Sequence, residues 1–208
     1  MGTELQTETL DGLLASALES GIDRIGQLHL SREGEEYRIC HIEDRGRNDL
    51  QEYTTASAAL EIVLYDDAGI YRPLKTAPNL KHGWLLRLAG FRELRYALDY
   101  LYPAALGNWR ALLAGKLLPV SLRETVNRQT GMYRISGKIT DEQGQFLVET
   151  LCRPGCLRQI LWAIPPDVPH PPFSPKPGEI PLLCGEACNI FVACARKVVK
   201  GIPLDQVD

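Results

Sequence analysis

The sequence predicts an α+β protein, with a mixed hairpin-and-helix domain over residues 1–150 and a Cys-rich, proline-strapped domain over 151–208. Three observations predict it. In the first 150 residues some apolar positions recur at helical spacing and others alternate, the mixture expected of α+β architecture. Five of the six cysteines lie in the last 57 residues, and ten of the fourteen prolines fall between Pro154 and Pro203, so the chain changes character near Thr150. Finally, 208 residues of which 45% are hydrophobic can bury a sizeable core without disulfide support.

Leu5 to Leu18 carries Leu10, Leu13, Leu14, Ala17 and Leu18 at helical spacing, and Ser20-Gly21 stops it. Ile25, Leu28 and Leu30, the turn residues 31–35, and then alternating Tyr37, Ile39 and His41 predict a hairpin. Thr54 to Tyr65 opens with capping residues and places Ala58, Ile62 and Tyr65 on one helical face. Arg72 to Leu118 reads as mostly helical after Pro73 and Pro78-Asn79. Leu94, Leu98, Leu101 and Tyr102 form one stripe there, which Trp109, Leu112 and Leu113 continue. Met132–Ile139 and Phe146–Leu151 predict a second hairpin across Asp141-Glu142-Gln143-Gly144. Asn189 to Lys200 reads as a helix with Phe191, Cys194, Ala195 and Val198 on its buried face.

Charge narrows the function classes. With 23 basic and 26 acidic residues the net charge is -3, which argues against generic affinity for nucleic acid or anionic membranes. No apolar run approaches the roughly 18 residues a membrane span needs, and the acidic start MGTELQTETLDG does not resemble a signal peptide. The expectation is a cytoplasmic protein with reduced thiols. Charge is uneven locally: Glu33–Asp67 holds ten acids and three bases, whereas Arg72–Arg95 holds six bases and one acid. Two solvated faces explain this, or else Arg72, Lys75, Lys81, Arg87, Arg92 and Arg95 attract an anionic ligand.

The cysteines carry the chemistry. Cys152-Arg-Pro-Gly-Cys156 and Cys184-Gly-Glu-Ala-Cys188 are two CxxxC pairs separated by 27 residues. Two such pairs are what a four-thiolate metal centre requires, because each supplies two sulfurs from one short segment. The connection Pro165–Pro181 has eight prolines in seventeen residues; an extended, stiff strap of this kind limits the entropy lost when its ends are held together. Four thiolates suit either a structural zinc ion or an iron-sulfur cluster. The wider CxxxC arms favour the cluster, whose ligands stand farther apart than those of one ion. Leu157, Ile160, Leu161, Trp162, Ile164, Leu182, Leu183, Ile190 and Phe191 would form a dry shell, and Arg153 and Arg158 would offset its negative charge. Cys194 falls on the buried helical face and reads as core, while Cys40, within the first hairpin, reads as a structural thiol. His170, in the strap, is either exposed or a neighbour of the centre.

The run from Cys152 to Trp162 (CRPGCLRQILW), Cys184-Gly-Glu-Ala-Cys188-Asn189 and the helix that follows resemble the 4Fe-4S-binding domain of a Deinococcus protein family. Tyr71–Leu80 and Tyr102-Pro-Ala-Ala-Leu resemble that family's adjoining stabilising domain. There the two are joined to a unit similar to CbiX, the sirohydrochlorin cobaltochelatase. The resemblance implies a 4Fe-4S cluster on Cys152, Cys156, Cys184 and Cys188. It further implies a redox or structural accessory to tetrapyrrole metal insertion, acting with a separate chelatase or reductase partner. This chain shows no chelatase unit, and its four histidines (His29, His41, His82, His170) are scattered in sequence. No Gly-rich phosphate loop, HExxH pair or nucleophile elbow occurs, and Asp66-Asp67 and Glu35-Glu36 read as surface turns, so a non-catalytic protein is expected. The alternative is a four-cysteine zinc protein acting as an interaction module.

Overall fold

In the computed structural model, the described residues are 9–65, 68–70, 80–117, 120–127, 132, 135, 137–152, 156, 158–160, 162–163, 177–185 and 187–204. In chain order they form α1 (Leu10–Glu19), β1 (Arg24–Ile25), β2 (Leu28–Glu33), β3 (Glu36–His41), β4 (Gln51–Tyr53), α2 (Ala58–Leu64), β5 (Trp84–Leu88), α3 (Phe91–Leu101) and α4 (Ala105–Leu113). The chain continues through β6 (Val120–Ser121), α5 (Leu122–Asn127), α6 (Asp141–Leu147), β7 (Arg158–Ile160), β8 (Trp162–Ala163), β9 (Glu179–Ile180), β10 (Leu182–Cys184) and α7 (Asn189–Val199). Helices and a mixed sheet together make it α+β.

The elements divide into two units, Met1–Lys116 with Pro175–Leu182, and Leu117–Ser174 with Leu183–Asp208. The boundary expected near Thr150 therefore falls inside the second unit. The change in composition marks where the cysteines begin, whereas the packing boundary depends on which apolar side chains share a core, and Leu122, Val126, Met132 and Ile139 share theirs with α7.

The first unit is built on a six-stranded sheet of order β4-β5-β3-β2-β1-β9. The predicted hairpin is β2 and β3, antiparallel with Leu30 opposite Ile39 and Glu33 opposite Glu36, so that Gly34 (φ 62) and Glu35 form the turn. Ile25 belongs to the short β1, because Gly26 (φ 56) turns the chain between it and β2. The stretch expected to be mostly helical contains a strand. β5 pairs antiparallel with β3 and parallel with β4, and Trp84, Leu86 and Leu88 alternate inward with partly exposed Leu85 and Arg87. Period-two burial in the middle of a sheet overrides the helical preference of leucine.

α3 buries Leu94, Ala97, Leu98 and Leu101, the expected stripe, and α4 buries Trp109. Leu113, however, is 54% exposed, because left-handed Ala104 (φ 63) re-aims the chain between the two helices. α2 buries Ala59, Ile62 and Val63 rather than Ala58 and Tyr65; Tyr65 is the extended residue that ends the helix and so leaves its face.

Cross-strand pairing also accounts for the uneven charge. Arg87 on β5 donates to Glu36 on β3 and to Glu52 on β4, and Arg95 meets Asp11 and Asp99. Arg87 of the basic stretch thus neutralises two carboxylates of the acidic one, whereas Arg95 pairs with carboxylates outside it. Arg72 and Lys75 lie outside the described residues, as do Asp66 and Asp67.

In the second unit, α5, α6 and α7 enclose a core of Leu122, Val126, Met132, Ile139, Leu147, Val148, Ala187, Phe191, Cys194 and Ala195. The expected second hairpin is replaced by α6. Thr140 accepts the N–H of Gln143, whose side chain accepts the N–H of Thr140, so the run read as a turn is a capping box opening a helix. Val148 to Cys152 continues it as a π-helical turn.

Candidate metal centre

Four consecutive structural links bring the two cysteine pairs together. Cys152 ends the π-turn, a local under-winding that often marks functional positions. That turn contacts β7, which starts two residues after Cys156. β7 pairs with β10, whose last residue is Cys184. Cys188 then caps α7, its Sγ accepting the Phe191 N–H at 3.5 Å, and α7 packs on α6, which runs into the π-turn. The circuit closes on itself, so the CxxxC arms meet although the strap between them, including His170, lies mostly outside the described residues.

All four thiols are half-buried, and none is in a disulfide. Cys152, Cys184 and Cys188 pack against the apolar core of this unit. Burial is the main reason the Cys152 thiol is pushed up to about 12, and Cys156, Cys184 and Cys188 each raise it further. Each of the other three sulfurs is therefore close enough to repel a thiolate at Cys152. Without a cation the thiol is neutral at ordinary pH, and a bound metal centre must displace its proton.

Four thiols close enough to act on one another, three of them packed against one core, suit a four-thiolate centre such as an iron-sulfur cluster. When bound, such a cluster supplies one-electron chemistry or a rigid cross-link.

Cys194 is 6% exposed, in the core beside Phe191 and Ala195, as the helical phase predicts. Cys40 is also buried, and burial followed by the Asp44 charge raises its thiol above the ordinary range. In the expected dry shell, Leu182, Leu183 and Phe191 are buried, but Ile190 is 52% exposed, because it sits one position off the inward face of α7. Leu157, Leu161, Ile164 and Arg153 lie outside the described residues, as do the side chains of Ile160, Trp162 and Arg158.

Two features were not read from the sequence. The capping role of Cys188 had a signal, a small side chain directly before an apolar-periodic run. The histidines are not all scattered in space: the rings of His41 and His82 stand 4.0 Å apart between centroids. No sequence spacing announces that meeting, which depends on strand pairing.

Residues 114–197 match the family model of a 4Fe-4S iron-sulfur cluster binding domain, and residues 13–112 match that of the DR2241 stabilising domain. The structure is similar to the crystal structure of DR2241 from Deinococcus radiodurans, described as a multi-domain protein with structural similarity to chelatases and two additional novel domains. The TM-score is 0.71 at 30% identity, over 93% of this chain and 42% of that one. The chain thus spans less than half the length of that relative. No curated protein matches it. Among the described residues no helix is long and apolar enough to cross a membrane.

Proposed function

Because the chain joins a DR2241 stabilising domain to a 4Fe-4S cluster binding domain, we propose that Cys152, Cys156, Cys184 and Cys188 ligate one 4Fe-4S cluster. In this reading the chain is a redox or structural accessory to metal insertion into a tetrapyrrole, working with a separate chelatase or reductase chain. The observation that carries the ligand assignment is that Cys156, Cys184 and Cys188 all stand close enough to act on Cys152, with Cys152, Cys184 and Cys188 packed against one core.

The residues divide the work. Cys152 and Cys156 come from the π-turn and the lead into β7, while Cys184 and Cys188 come from the end of β10 and the cap of α7. The Phe191 N–H and the positive end of α7 face the Cys188 sulfur and hold it in place. Phe191 and Leu183 exclude water from the side of the core. Four protein thiolates leave no iron with an open position, which argues for electron passage or structural support rather than substrate activation. The partner and the tetrapyrrole rest on the likeness to a chelatase-like protein and are carried by analogy.

Anaerobic purification followed by iron and acid-labile sulfide analysis tests the assignment. The expected result is a brown protein with roughly four irons and four sulfides per chain, the cluster's own stoichiometry. Stoichiometric zinc without sulfide would establish the single-ion alternative instead.

A further inference from the structure

A second group of metal-ligating side chains lies in the first unit, far in sequence from the cysteines, and strand pairing creates it. β3 and β5 run antiparallel with Cys40 opposite Leu85. Continuing that register past the strand ends brings the 3₁₀ turn Ile42–Asp44 opposite His82 and Gly83. The result is a convergence of His41, Glu43 and His82, each offering one ligand atom within 4.8 Å of the others.

The chemistry of the group suits a cation. His82 presents its two ring nitrogens to two carboxylates: Nδ1 lies 3.7 Å from Asp44 Oδ1, and Nε2 lies 3.8 Å from Glu43 Oε2. A carboxylate behind one nitrogen orients the ring and leaves the other nitrogen as an electron-pair donor, the arrangement that commonly supports metal-bound histidines. Asp44 itself is fixed. Its side chain is 2% exposed, accepting the Gly83 N–H and one Arg47 N–H, each at 2.7 Å. Arg47 is committed to Asp44 and Asp49, so Glu43 supplies the negative charge facing His82.

His41 is 1% exposed and held at the end of β3. Its Nδ1 accepts the Glu43 N–H at 3.2 Å. Either of its nitrogens can bind a metal only if that hydrogen bond opens, because Nε2 has a free electron pair only in the tautomer with the proton on Nδ1. Losing one such bond costs about 1 kcal/mol, small beside a metal–imidazole bond. By contrast Glu43 and His82 have side chains 73% and 37% exposed, so a cation can enter from solvent.

We propose that His41, Glu43 and His82 form a holding site for one divalent transition-metal ion of borderline softness, such as Zn²⁺. Two imidazoles and a carboxylate select this class over Mg²⁺ or Ca²⁺, which prefer all-oxygen ligands, and over soft ions, which prefer thiolates. Three protein ligands with a solvent-facing side leave one position open, as in exchangeable rather than purely structural sites. The inference does not rest on the cluster assignment.

Zn²⁺ binding to the anaerobically purified full chain, followed by calorimetry with iron and sulfide measured on the same sample, tests it. The wild type is expected to bind one Zn²⁺ equivalent that His82→Ala does not bind. Glu43→Gln is expected to weaken binding roughly tenfold or more, at least what loss of an outer-shell partner costs. Both changes are at exposed side chains, and circular dichroism checks that the sheet persists. Absence of this equivalent in the wild type, or unchanged affinity in either variant, overturns the assignment. Since the readout is a difference of one equivalent between chains with equal iron content, its failure and a failure of the cluster reading are told apart directly.

Discussion

Cys188 and Cys194 lie six residues apart and are read in opposite ways, so a pair of substitutions on α7 separates ligand from core. Cys188→Ser replaces a weak sulfur acceptor, 3.5 Å from the Phe191 N–H, with one of the best N-capping side chains. Because a good cap contributes about 1 kcal/mol, the cluster-free variant should be no less stable than cluster-free wild type, and up to about that much more stable. Cys194→Ala removes one heavy atom from a position 6% exposed, comparable to deleting a methylene, and should cost about 0.5–1.5 kcal/mol. Neither change approaches a typical domain's stability of about 5–15 kcal/mol, so both chains fold. Iron and sulfide analysis with denaturant unfolding, all under anaerobic conditions, should show Cys188→Ser without cluster but with an intact helix. Cys194→Ala should retain the wild-type complement. Equal loss of iron in both variants, or full retention in Cys188→Ser, would refute the division of the cysteines.

Three further outcomes can be checked. Thr140→Ala breaks the capping box of α6 and should cost about 1 kcal/mol in denaturant unfolding; because α6 runs into the turn carrying Cys152, chelators should also strip iron faster from this variant. Gly26→Ala should destabilise the first unit by about 2–4 kcal/mol, combining a left-handed backbone with a new Cβ 2.5 Å from Leu182 Cδ1 and 3.1 Å from the Tyr102 hydroxyl; an unchanged melting temperature would show that both side chains swing away freely. Glu36 is held below the usual carboxylate range by Arg87 first and Arg38 second. Its folded-state pKa is depressed, so its contribution is complete above its ordinary value of 4.5 and disappears as pH falls through the lowered one. Glu36→Gln should therefore flatten the acid limb of the stability–pH curve, and an acid limb identical to wild type would count against the ion-pair ladder.

The sulfur positions were legible because ligand spacing and helical phase are local properties. Two residues per CxxxC arm, the Phe191–Cys194–Ala195 face and the turn after Glu33 all follow from neighbours a few positions away. The second hairpin was misread for an equally local reason. Asp141–Gly144 has the composition of a turn, and only the reciprocal Thr140–Gln143 bonds, with Leu147 and Val148 turned inward, show it to be the first turn of a helix.

What the sequence by itself determined about this protein is which residues can do chemistry and which faces must be buried, since side-chain type and short-range periodicity are written along the chain. Tertiary structure alone decided that Trp84–Leu88 is an inner strand and that the packing boundary precedes Leu117. It alone carried Cys152, Cys184 and Cys188 to one core and brought His82 beside Glu43. Each of these depends on partners tens of residues away. The free energy of a strand register or a shared core belongs to the pair of segments in contact, and neither segment encodes it alone.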